Sequence, residues 1–178
     1  MNIISRLYSI GIPSSLNLAL PSFMIIALNS ILTTYDDSYV LILGVYYKLQ
    51  TFLYFIVSGL VQGIRPIISY NEGAKQYKRV NSTFYISLLI SVVVMIIGTI
   101  LFLTIPDKLI GLFTNNSQTI TNGAHALRII SFGFIVSSFS VVISGVFEGL
   151  GNGFPSLIIS LTRYLLIILV AFILTRFM

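Results

Sequence analysis

Tyr47, Thr51, Tyr54, Ser58, Gln62 and Arg65 recur at intervals of three or four residues through one long apolar run. Advancing 100° per residue, they fall within about a third of a helical turn and make a polar stripe on an apolar helix. Two chemistries suit such a stripe. It can line a watery path for a solute, or it can hydrogen-bond neighbouring helices at about 0.6 kcal/mol per bond. A weaker stripe, Ser15, Ala19, Ser22, Asn29 and Thr33, occupies the preceding apolar run. Together the two outline a translocation cavity in which Asn29, Tyr47, Thr51, Tyr54 and Gln62 are the candidate solute-binding residues. For the Ser and Thr positions, hydrogen bonding between helices is the simpler role.

Glu148 and Arg163 form a second candidate group, a charge pair. Arg163 lies eight residues past Pro155, about 12 Å along a helix at 1.5 Å per residue, and needs a carbonyl, carboxylate or water there. Glu148 is a candidate partner and a candidate proton or cation carrier; alternatively it is an interfacial carboxylate facing water or capping the next helix. Arg65 and Arg128 sit near span ends, where lipid phosphate is the expected partner. Lys48 is placed to snorkel towards the headgroups.

Catalytic signatures are missing from the sequence. It has no Gly-rich phosphate loop ending in Lys-Ser/Thr, no Ser/His/Asp set and no His-Glu-x-x-His pair. With no Cys and one His, His125, disulfides and thiolate chemistry are excluded and little remains for metal or base chemistry. An enzyme is not expected, and neither is a cofactor.

The elements that must position these groups are membrane helices. Hydrophobic residues make up 56% of the 178 and charged residues 8%, whereas a soluble domain has about a quarter charged. The formal charge of +5 is scattered, so it reads as topology and headgroup contact and not as nucleic-acid binding. Apolar segments over residues 10–34, 43–69, 84–105, 124–147 and 155–177 each approach or exceed the roughly 20 residues that cross a bilayer. The expected fold is all-α, a polytopic membrane helix bundle forming a single transmembrane unit over residues 1–178. Small residues share a face in the third segment (Ser87, Ser91, Gly98) and in the fourth (Gly133, Ser137, Ser140, Ser144), as helix packing in membranes favours.

Lys75, Lys78 and Arg79 form the densest basic cluster, in an expected loop from Tyr70 to Asn81. Loops rich in Lys and Arg stay cytoplasmic. The rule puts the N-terminus and the Gly149–Gly153 turn inside a cell membrane, with Asp36-Asp37 and the Asn115 linker outside. Loop positives are then Arg6, Lys75, Lys78 and Arg79 inside against Lys108 and Arg176 outside. Five spans also raise the expectation of a missing sixth helix, and the start Met-Asn-Ile-Ile-Ser-Arg6 lacks the features of a cleaved signal peptide.

Several motifs resemble those of the C-terminal lobe of the multidrug and toxic compound extrusion (MATE) transporters. They are Gly11-Ile-Pro13, Lys48-Leu-Gln50-x-Phe52 and Gly59-x-x-x-Gly63-x-x-Pro66-Ile67-Ile68-x-Tyr70-Asn71-x-Gly73-Ala74. Phe147-x-Gly149-x-Gly151-x-x-x-Pro155-Ser156 follows, with Ser160 and Arg163 beyond it. Pro66 to Ala74 is the most specific part, although Ser69 stands where the family usually has Gly. The resemblance implies helices seven to eleven of a twelve-helix, two-lobed exporter of cationic amphipathic compounds, driven by Na+ or H+ antiport. It also implies a partner, either a missing N-terminal lobe or a second chain. A non-transporting membrane remnant or accessory protein is one alternative, and a lipid or polysaccharide flippase of the same superfamily is another. Tyr70-Asn71-x-Gly73-Ala74 fits the drug exporters better.

Overall fold

The computed structural model describes residues 3–177. The side chains of Arg6 and Arg176, which entered the count of loop charges, lie outside the described residues. The elements are α1 (Ile3–Leu32), α2 (Asp37–Gly73), α3 (Tyr77–Thr104), a short α4 (Pro106–Gly111), α5 (Ser117–Gly149) and α6 (Gly153–Phe177). Among the described residues there are no strands, and the five long helices are each long and apolar enough to cross a membrane.

Local chemistry sets the helix ends. Asp36 caps α2 by accepting the Ser38 N–H at 2.7 Å, and Asn116 caps α5 by accepting from the Gln118 and Thr119 N–H groups. Such caps satisfy donors that a helix start leaves open. The bonds from the Ser38 side chain and backbone also hold the exposed Asp36 carboxyl below its ordinary range. Two C-termini close in the same way. After α2, Gln76 N–H reaches the Asn71 carbonyl and Lys75 N–H the Glu72 carbonyl; after α5, Asn152 N–H reaches Phe147 and Gly151 N–H reaches Glu148. This paired bonding needs a left-handed residue in its middle, normally Gly. Gly151 supplies it with φ 78°, but Lys75 adopts φ 58° with a full side chain.

α2 has 37 residues, about 55 Å at 1.5 Å per residue, and so overruns a hydrocarbon core of about 30 Å. The apolar run at 43–69 marks only its greasy part. A helix does not need apolar side chains to continue into water, so the expected loop shrinks to residues 74–76 and Lys78 and Arg79 open α3. The turns at 74–76 and 150–152 lie at one end of the bundle, called here the basic end; Asp36 and α4 mark the other.

α5 is the hub, packed against α2, α3, α4 and α6, while α1 pairs with α6 and scarcely meets α2. Between α2, α3 and α5 lies the core, where Phe134 stacks with Tyr46 and takes Tyr54 and Phe102 edge-on. Small residues let these helices approach. Ser87, Ser91 and Gly98 are buried on α3, Gly98 lies under Leu53, and a methyl on Gly149 would sit 3.2 Å from the Arg65 carbonyl oxygen. Large apolar side chains such as Phe52, Leu89, Ile97 and Val136 point outwards, the arrangement a lipid surround requires.

Replacing Lys75 by Gly keeps the left-handed conformation and removes its cost, roughly 1–2 kcal/mol for an L-residue. The Lys75→Gly protein should unfold at a higher temperature in detergent micelles than the parent chain, and Lys75→Val at a lower one. A larger residue at Gly145 collides with Val61 on α2, an overpacking that costs about 1–3 kcal/mol, so Gly145→Val should lower the midpoint of the same melt.

Candidate functional site

A cleft of about 660 Å³ opens between α1, α2, α5 and α6. It exists because α1 leans on α6 and leaves α2 almost untouched. Tyr47, Thr51, Tyr54, Ser58, Gln62 and Arg65, the stripe read from the sequence, all lie on its wall. From Leu43 to Arg65 the α2 wall runs roughly 33 Å at the helical rise, close to the thickness of a bilayer core.

The other walls differ from expectation. Asn29 is not on the cleft, and neither are Ser15, Ala19, Ser22 or Thr33; α1 contributes Ser14, Asn17, Leu18, Pro21, Met24 and Leu28. The helix is turned by one residue from the face that its hydroxyls mark. Hydroxyls mislead in a membrane helix because they can bond their own backbone, as Ser30 does to the Ile26 carbonyl and Thr33 to that of Ser30. The α5 stripe Gly133, Ser137, Ser140 and Ser144, expected to be a packing surface, lines the cleft instead. Asn17, Gln50 and Tyr164, absent from the expected site, lie there too. Gln50 and Tyr164 carry a signal the sequence offered: each falls a turn from a residue already singled out, Tyr54 and Ser160 respectively.

At the basic end Glu148 is the meeting point of four helices. Its side chain is 6% exposed, and its Oε2 lies 2.6 Å from Nη2 of Arg65 on α2. Oε1 accepts from Asn17 Nδ2 of α1 at 2.8 Å and from the Ser156 hydroxyl of α6 at 2.9 Å. Asn17 also donates to Ser156 at 2.8 Å, and Ser144 bonds Ser156. Glu148 is therefore neither a water-facing charge nor a helix cap, and Arg65, expected near lipid phosphate, has a protein partner in it. The expected pair of Glu148 with Arg163 does not form. Ser156 holds Glu148, and Arg163 lies seven residues farther along α6, about 10 Å up the axis.

Arg163 turns to its neighbour, donating from Nη2 to the Tyr164 hydroxyl at 2.7 Å with its guanidinium 4.5 Å from that ring's centre. Its buried Nε meets no acceptor, and neither does the Arg65 Nε. Elsewhere Arg128 pairs with Asp107 at 3.4 Å, and Lys48 reaches along the surface to the Phe113 ring at 5.6 Å. Ser69 donates its hydroxyl to the Gly149 carbonyl, tying α2 to the last turn of α5.

On the described walls of the cleft the charged residues are Arg65, Glu148 and Arg163. The first two offset each other; the third does not. Tyr46, Tyr47, Tyr54 and Tyr164 supply flat aromatic faces beside it, which suit apolar and cationic bodies alike.

Comparison with known proteins matches this bundle to a family. The chain is 25% identical over 170 residues to the multidrug export protein MepA of Staphylococcus aureus, covering 96% of the chain and 38% of that protein. It is 22% identical over 171 residues to the protein of the same name in Staphylococcus saprophyticus, with the same two coverages. The chain thus spans 38% of the length of the curated relatives it matches. The MatE family model matches residues 13–173, which takes in all five membrane-spanning helices and every wall of the cleft, so the chain is a multi-pass membrane protein that belongs to the MatE family.

Proposed function

We propose that this bundle is one lobe of a MATE-like efflux transporter, and that its cleft is half of the path by which amphipathic compounds leave the cell. The observation that carries the reading is the cleft itself: a polar and aromatic wall of bilayer length inside a shell of lipid-facing side chains. Polar groups within a membrane face a bundle interior or a water-filled cavity. Tyr47, Thr51, Tyr54 and Gln62 are the proposed contacts for the solute, and Asn17 and Gln50 take the part first assigned to Asn29. Joined to a second lobe, the two would rock about the shared path, with Na+ or H+ moving in exchange. The basic end, with Lys75, Lys78 and Arg79, faces the cytoplasm of a cell membrane under the positive-inside rule, and the N-terminus with it.

In this reading the Arg65–Glu148 pair, with Asn17 and Ser156, ties the cytoplasmic end of the cleft shut. α6 also packs on α5, but α1 meets α2 and α5 there chiefly through these polar bonds, which can exchange for water without rearranging a core.

Two measurements check this. The purified chain in phosphatidylcholine nanodiscs should bind the fluorescent cation rhodamine 123 saturably, and Thr51→Trp, which fills the cleft, should weaken binding about tenfold, or 1.4 kcal/mol. Unchanged affinity in that variant, or no saturable binding by the parent chain, would sink the cleft as the solute site. Glu148→Gln strands Arg65 without its counter-charge, a loss of about 1–3 kcal/mol for a half-buried group. Its melt should fall accordingly, and Arg65→Met with Glu148→Gln should recover part of the loss, because removing both charges costs less than removing one.

A further inference from the structure

The charges on the cleft wall do not cancel, and the residue that breaks the balance is in the wrong place for a pure cation site. Arg65 is matched by Glu148 at 2.6 Å. Arg163 faces the same cleft with the Tyr164 hydroxyl and ring as its partners and with a buried Nε that meets no acceptor. A hydroxyl and an aromatic face orient a guanidinium but leave its charge uncompensated. Such a group presents a planar fork of donors that matches a carboxylate or phosphate. A cation drawn to the tyrosine faces would meet this like charge on the same wall and be repelled by it. Across the cleft, Gln50 Oε1 is buried without a donor. The wall therefore offers an unmet donor and an unmet acceptor together.

Resting on the reading of this cleft as a solute path, we infer that Arg163 anchors an anionic group, a carboxylate or phosphate, of an amphipathic solute whose aromatic body lies on the Tyr46, Tyr47 and Tyr54 faces. An N–H on the same solute answers Gln50. The preferred cargo is then zwitterionic or anionic at one end, and not simply cationic. Arg163 is a specificity residue under this assignment. Tyr164 is a positioning residue, because its hydroxyl and ring hold the guanidinium against the cleft wall.

Rhodamine 110 and rhodamine 123 separate the two descriptions, since they share one aromatic body with two amino groups and differ in a carboxylate against its methyl ester. Binding of each to the purified chain in phosphatidylcholine nanodiscs is read by fluorescence polarisation. The parent chain should hold rhodamine 110 about tenfold more tightly than rhodamine 123, the worth of one charge-assisted bond. Arg163→Gln should abolish that ratio while leaving rhodamine 123 bound as well or better; Arg163→Lys, which keeps the charge on a different frame, should retain part of it. Equal affinities in the parent chain, or a ratio that survives in Arg163→Gln, overturn the anchor while leaving the cleft as a solute site. Failure of both dyes to bind saturably overturns the cleft reading and the anchor with it. Repeating the measurement in phosphatidylglycerol nanodiscs and with added inorganic phosphate identifies the source of the anion. Competition by the lipid alone assigns the anchor to a headgroup phosphate, competition by free phosphate or by neither assigns it to a soluble solute, and each supports an anion at Arg163.

Discussion

A carboxylate buried in an apolar bundle has to be compensated, and the compensation of Glu148 determines how the two sides of this molecule meet. An isolated buried charge costs several kcal/mol even after relaxation. Glu148 avoids that cost by drawing one group from each neighbouring helix: Arg65 from α2, Asn17 from α1 and Ser156 from α6. These bonds join α1 and α6 to α2 and α5 at the basic end. Beyond this tie the helices stand apart and the cleft opens.

The bundle is asymmetric in what holds it. α2, α3 and α5 share a packed core around Phe134, with glycines at 98, 145 and 149 bringing backbones close. α1 and α6 form a second pair, and their backbones press together where Gly153 meets Ser9 and Ile10. That approach coincides with Pro13, which cannot donate the helical bond to the Ser9 carbonyl and so loosens α1 where α6 begins. The cleft is the seam between a rigid unit and a pair of helices with a proline in its path. Motion is cheapest on the α1–α2 side of that seam, where crossing contacts are few and polar.

Membrane class was legible in the composition and helix count in the apolar runs, since uninterrupted apolar segments of about 20 residues span a bilayer as helices. The α2 wall was legible as well. Beside Thr51, which bonds back to the Tyr47 carbonyl, and Ser58, it carries Tyr, Gln and Arg, whose long side chains cannot be satisfied on their own helix and so must find a cavity. The α1 wall was illegible for the converse reason. Its face was marked by Ser and Thr, which bond backwards to their own carbonyls, and by Asn29, while the informative residue was the single Asn17. Pairing of Glu148 was illegible because it depends on the height at which α2 passes α5. α2 runs beyond the apolar window at its basic end, so Arg65, apparently at the lipid surface, is in fact level with Glu148. Lys75 in a left-handed turn belongs to the same class, as nothing in its residue type announces φ 58°.

The lining changes in character along the cleft, and that ordering gives the path a direction. Near the Asp36 end the walls are Leu28, Leu43, Ile130 and Ile167; in the middle come Tyr46, Tyr47, Tyr54, Gln50 and Arg163; at the basic end stand Asn17, Gln62, Arg65, Ser144 and Glu148. An amphipath cannot match all three zones in one pose. Its aromatic body gains most in the middle, where rings flank it, while its charged or hydrogen-bonding groups are drawn towards the polar end and away from the leucines. Opening the polar tie would admit water to the lower zone first, where hydroxyl and amide groups can exchange protein bonds for water bonds at small net cost. Water entering the upper zone wets the apolar side chains of Leu28, Leu43, Ile130 and Ile167, at roughly 25 cal/mol per Å². The two ends of the cleft thus differ in physics, one tied by hydrogen bonds that water can replace and one walled by apolar side chains that water wets poorly. A solute seated in the aromatic middle lies between them.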